Sequence, residues 1–302
     1  MQLPQRVRIV EVGPRDGLQN EKLVLPAQTR IALIDQLSAS GLDYIEIGSF
    51  VRPDMIPALA DTEAVAAGIT RRPGVTYAAL VPNLKGLERA LEAKLDEISI
   101  FMSVTDSHNR SNTNRSTAEA LAAYPELVRQ ATAAGLRVRA YLSTVFGCPY
   151  EGQVRPEQVR PLVEALLEMG AYQISLGDTI GVTHPLAVQQ LLSHLQAKLP
   201  LEQIALHFHD TRGTALANVL AGLQMGVSVF DTAIGGLGGC PYAPGASGNL
   251  ASEDLLYMLD SMGIQTGVEL AKLVEANQTL AGLFQRPLQS KYSLTQLAAN
   301  KV

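Results

Sequence analysis

Cysteine is scarce in this chain: two, Cys148 and Cys240, among 302 residues. That is too few for a disulfide framework, and a reducing cytoplasm is the expected home, where a bond between the two is not expected. Charge is scarce as well. Charged residues make up 18%, with 24 Lys+Arg against 29 Asp+Glu and a net charge of −5. No basic block stands out, which argues against a nucleic-acid partner, because such binding rests on Lys and Arg contacts to phosphate. No apolar run reaches the ~18 residues that a membrane span needs. The opening Met-Gln-Leu-Pro-Gln-Arg-Val-Arg has no signal core. What is plentiful is apolar surface to bury: 47% hydrophobic residues and a mean hydropathy of +0.11. That composition excludes disorder and supports a large core.

One pattern recurs along the chain. A short β-branched run leads into a polar or Gly/Pro turn and then into helical spacing. The strand-like runs are Val7–Gly13, Tyr44–Phe50, Val75–Val81, Glu97–Val104, Arg137–Phe146, Ala171–Gly177, Ile204–Asp210 and Val229–Gly235. Their starts recur every ~32 residues on average, the size of one βα unit. Helical spacing is read over Ala27–Ser40, Thr117–Ala134, Pro156–Met169, Leu186–Lys198, Thr214–Met225 and Ser252–Met262. Eight alternating units predict an α/β (β/α)8 TIM barrel over residues 1–266, with a helical C-terminal extension over 267–302 packed on it. An open doubly wound sheet is disfavoured. Where its G-x-G-x-x-G fingerprint belongs, the chain reads Val12-Gly13-Pro14-Arg15-Asp16-Gly17.

Chemistry in such a barrel sits at the C-terminal ends of the strands. His207 and His209, two of only five histidines, stand two apart on a strand and therefore face one side. At a strand end they form a pair of metal ligands, for which Asp16 is the first oxygen donor to consider; such a set suits Mg, Mn or Zn. The alternative is a hydrogen-bonded or surface pair. Arg15 and Asp16 share a turn, with Gln19 and Lys22 close behind, and a guanidinium beside a metal polarises a carbonyl or holds an enolate oxygen. Glu46 interrupts a run expected to be buried on both faces, so it must be paired, with Arg15 as the candidate. Asp178-Thr179 ends the sixth strand, where the aspartate is a helix-turn cap or a site residue in equal measure. The stretch Asp106–Arg115, containing Asn112, reads as a solvated loop or as one that meets substrate. The glycine-rich Gly235–Asn249 segment carries Cys240 and is a flexible loop or a lid. Cys148 shares the Gly-Cys-Pro-Tyr context of Cys240.

Three stretches resemble the motifs of the hydroxymethylglutaryl-CoA lyase family: Val12–Glu21, Leu206–Thr211 and Gly236–Asn249, the last being the most specific. The resemblance runs from about Val7 to about Phe284. The histidine pair and Arg-Asp are also found in the related acyltransferases that make isopropylmalate and homocitrate. The resemblance implies a barrel binding Mg²⁺ or Mn²⁺ through Asp16, His207, His209 and Asn249. It implies that Arg15 stabilises a thioester enolate, that Cys240 takes part in proton transfer, and that Glu46 is an active-site carboxylate. Gln19, Asn112, Asp178 and Thr179 are the further candidates for substrate contact. The hydroxyl proton would go to Asp16, a bound water or His207. The implied reaction cleaves 3-hydroxy-3-methylglutaryl-CoA to acetyl-CoA and acetoacetate, a step in leucine breakdown. A longer 3-hydroxy-3-alkylglutaryl-CoA such as the isohexenyl one, a condensing acyltransferase and a non-catalytic CoA- or metal-binding barrel are the alternatives. Relative to animal members, a mitochondrial leader and a C-terminal thiol for subunit cross-linking are expected to be absent. A cytoplasmic homodimer is expected.

Overall fold

The computed structural model describes residues 3–239 and 248–299. Eight parallel strands close into a barrel: Arg8–Glu11, Tyr44–Ser49, Thr76–Leu80, Glu97–Ser103, Arg137–Ser143, Gln173–Asp178, Ile204–Phe208 and Val229–Thr232. Each pairs with its sequence neighbour, and the eighth closes on the first, with Arg8 opposite Val229 and Glu11 opposite Thr232. The second, sixth and seventh strands are buried along their whole length, because helices cover them outside and side chains fill the barrel inside. The (β/α)8 expectation is met. No helix among the described residues is long and apolar enough to cross a membrane.

Several elements differ from their sequence pattern. Seven of the eight strands end earlier than the apolar runs suggest, and the sixth runs one residue further, to Asp178. The first gives way at Gly13–Gly17 to a π-helical turn, in which the Val12 carbonyl accepts from Arg15, Asp16 and Gly17 N–H. Such turns recur at functional sites. The helix expected over 117–134 is two, Thr117–Ala122 and Pro125–Ala133, because Pro125 removes the N–H needed to continue the first. Asp106–Thr113, read as loop, is a helix without apolar periodicity. Asn109 fastens it: Oδ1 accepts from Ser103 N at 2.9 Å and Nδ2 donates to Ser103 O at 2.7 Å. Helices Thr62–Gly68 and Leu84–Glu92 complete units whose helical spacing is short.

Late segments return to the rim of the first strand. Glu11 Oε1 accepts from Gly13 N and Ile234 N, while Ser252 Oγ donates to its Oε2. Two C-terminal helices, Leu270–Phe284 and Lys291–Ala299, follow. Leu273, Ala276 and Leu280 bury the first of them against the rest of the fold. Between the two, Gln289 N donates to Gly235 O, and Lys291 Nζ reaches Asp210 Oδ2.

Candidate metal centre and cleft

The π-helical turn after the first strand turns Arg15 and Asp16 toward one another. Arg15 Nη1 donates to Asp16 Oδ1 at 2.7 Å, and Nε donates to Glu46 Oε2 at 2.6 Å. Glu46 lies just before a β-bulge in the second strand and is wholly buried; Ser99 Oγ satisfies its other oxygen at 2.5 Å. The pairing that a carboxylate inside a doubly buried strand requires is therefore present. The Arg15 guanidinium also lies over the Tyr141 ring, 4.9 Å from its centroid. Burial works against that charge, but Glu46 and then Asp16 more than offset it.

His207 and His209 occupy the end of the seventh strand and the position just past it, with ring centroids 5.3 Å apart. With Asp16 they form a group in which one donor atom from each lies within 4.8 Å of the others. Asn249, paired to His209 by an antiparallel bridge, donates Nδ2 to Asp16 Oδ2 at 2.9 Å. Its Oδ1 is buried with no partner, and so is Nδ1 of His209. Orphaned polar atoms are costly to bury, and here they lie beside a carboxylate and two imidazoles, a donor set that suits Mg, Mn or Zn. Protonation agrees. Burial raises the Asp16 carboxyl, but Arg15, His207 and His209 hold it down at about 2. Burial, with His207 nearby, lowers His209 to about 3. An ionised carboxylate and a neutral imidazole are the forms a cation binds. The residues fit a divalent ion.

A cleft of about 500 Å³ opens from this group. Gln19, Asn112 and Thr179 line it, together with Arg52, Asn83, His108, Arg115, Tyr141 and Ser175. Asp178 does not line it. Its two oxygens accept from Val182 N and Thr183 N, so it caps the turn that follows Thr179. Cys148 is a buried free thiol receiving a hydrogen bond from Thr105 Oγ1 at 3.1 Å. Cys240 lies outside the described residues.

The sequence pattern did not reveal Arg139, Ser175 and Asp231. Arg139 Nη2 donates to Asp231 Oδ1 at 2.7 Å and Ser175 Oγ to Oδ2 at 2.6 Å, inside the barrel beneath His207. The usable signal was the one that exposed Glu46: an acid within an inner strand.

A (β/α)8 barrel whose mouth gathers a carboxylate, two imidazoles and an amide beside a buried arginine defines the class of this molecule. A family model described as HMGL-like matches residues 6–280, and the chain belongs to that family. It is 56% identical over 291 residues to a hydroxymethylglutaryl-CoA lyase of Bacillus subtilis, covering 96% of this chain and 97% of the relative. A Pseudomonas aeruginosa protein named 3-hydroxy-3-isohexenylglutaryl-CoA/hydroxy-methylglutaryl-CoA lyase is 48% identical over 298 residues, covering 99% of each. The crystal structure of a B. subtilis HMG-CoA lyase superposes with a TM-score of 0.97 at 55% identity, covering 98% of this chain and 99% of that one.

Proposed function

We propose that this chain is a carbon–carbon lyase that cleaves 3-hydroxy-3-methylglutaryl-CoA to acetyl-CoA and acetoacetate. Its full-length relatives carry that name. The observation in the structure that supports the reading best is the convergence of Asp16, His207 and His209 beside Arg15 at the cleft. Mg²⁺ or Mn²⁺ is the cation we assign, held by Asp16, His207, His209 and Asn249. When bound, it lowers the pKa of the substrate's tertiary hydroxyl and fixes the oxygens around it.

The protein's own groups then divide the work. Asp16 or a bound water takes the hydroxyl proton. The C–C bond breaks, its electron pair passes to the acetyl-CoA enolate, and the former alcohol becomes the ketone of acetoacetate. Glu46 and Asp16 occupy Nε and Nη1 of Arg15, so Nη2 is the edge left to hold the enolate oxygen. Cys240 is assigned the protonation of the enolate carbon. One proton leaves the hydroxyl and one arrives at carbon, so no water or redox partner is consumed. Gln19, Asn112 and Thr179 are assigned to the thioester substrate along the cleft, with Asp178 shaping the turn under Thr179.

Incubation with the thioester and Mg²⁺ should yield acetoacetate, and a chelator should abolish it. No acetoacetate under any cation would overturn the reading. The isohexenyl thioester belongs in the same assay, because the P. aeruginosa relative is named for both. We place the enzyme in the cytoplasm as a homodimer, which sedimentation of the purified chain checks.

A further inference from the structure

The eighth strand carries an acid that the reaction as described leaves unused. Asp231 is buried and draws together four consecutive strands. Arg139 of the fifth donates Nη2 to its Oδ1, and Ser175 of the sixth donates to its Oδ2 at 2.6 Å. On the seventh strand, Nδ1 of His207 stands 3.3 Å from the same Oδ2. Arg139 is itself locked by Gln173 Oε1 at 2.9 Å and by the Tyr141 ring at 5.0 Å. Nδ1 of His207 is buried and makes no hydrogen bond, and Asp231 is the carboxylate that stands within ion-pair distance of it.

We propose that Asp231 is a positioning residue that holds His207 in the Nδ1–H tautomer, so that Nε2 presents its lone pair to the cation. A neutral imidazole carries one N–H, and the acceptor beside one nitrogen decides which nitrogen that is. Ligating histidines are commonly fixed in this way by a carboxylate behind them. Asp231 acts through His207 and touches no substrate. The alternative is that it serves only to neutralise Arg139. The inference rests on the assignment of His207 as a ligand, and its test does not depend on turnover.

Nitrogen-15 NMR of the histidine-labelled, metal-free chain at mildly alkaline pH reads the tautomer directly. His207 should carry its proton on Nδ1; a proton on Nε2 in the unmutated protein overturns the proposal. Asp231→Asn can offer an N–H toward Nδ1, which should move the proton to Nε2. Mn²⁺ affinity, measured by titration, should then fall about 10–100-fold. A folded variant that binds Mn²⁺ as tightly as the parent would also sink the idea. Removing the acid alone leaves Arg139 buried without an ionised partner. Arg139→Gln with Asp231→Asn removes both charges at once and should show the same loss. If the thioester is not cleaved but the tautomer is as stated, the reaction reading fails and this one stands. If cleavage proceeds with His207 protonated on Nε2, the reverse holds.

Discussion

Arg15 has its guanidinium fixed on two edges by carboxylates and on one face by an aromatic ring. A charge held so rigidly needs no reorganisation when an enolate oxygen develops beside it, the condition under which such groups contribute most. Arg15→Gln should therefore lower kcat about 10²–10³-fold while the Mn²⁺ affinity of the Asp16–His207–His209 group changes only a few-fold; steady-state kinetics beside a metal titration checks both. Unchanged turnover would remove Arg15 from the reaction. The Arg15–Glu46 pair was legible before any coordinates because a lone carboxylate in an apolar run demands a partner. The Arg139–Asp231 pair was not. Arg137-Val-Arg139 imitates a strand with a polar outward face, yet Arg139 is fully buried while Arg137 is exposed.

Among the elements, the helix Asp106–Thr113 shows what periodicity leaves out. It has almost no apolar side chains, and its stability comes from Asn109 gripping both backbone groups of Ser103 and from Asp106 receiving Thr117 N–H. Hydrophobic spacing is the main signal for a helix, so an element tied down by hydrogen bonds reads as loop. The barrel, by contrast, was legible in all eight strands and in its longer helices, while Thr62–Gly68 and Leu84–Glu92 are too short to show their spacing. This polar helix brings His108, Asn112 and Thr113 to the cleft wall. Asn109→Ala should free it, costing about 1–3 kcal/mol of stability. KM for the thioester should rise several-fold with kcat nearly constant, because Asp16, His207 and Arg15 stand on other elements. A fall in kcat alone, with KM unmoved, would contradict that placement.

At the scale of the whole molecule, the buried acid Glu11 ties the last part of the chain to the first, and Glu253 ties late segments to one another. Burial raises Glu253, which accepts from Gly235 N and Asn277 Nδ2, from 4.5 to about 7, and Glu11 is raised likewise to about 7. A folded-state value above the unfolded one means that the native protein keeps its proton longer. The stabilisation is complete below 4.5 and is lost as the pH climbs through about 7. Melting temperature should decline across that window, and Glu253→Gln should flatten the decline; an unaltered slope would show that the residue is already ionised throughout. The ties of Glu11 were invisible in the sequence because they join residues more than two hundred positions apart, whose pairing only the closed barrel creates.

The reach of Glu11 also governs how the protein can be made. During translation its strand emerges near the start, while the amide of Ile234 and the hydroxyl of Ser252 are still unsynthesised. Until they leave the ribosome, the first stave lacks its eighth neighbour, and its acid has Gly13 N–H but neither of its distant partners. The barrel therefore cannot close until its last stave has been made, and the apolar edge of the first stave stays uncovered until then.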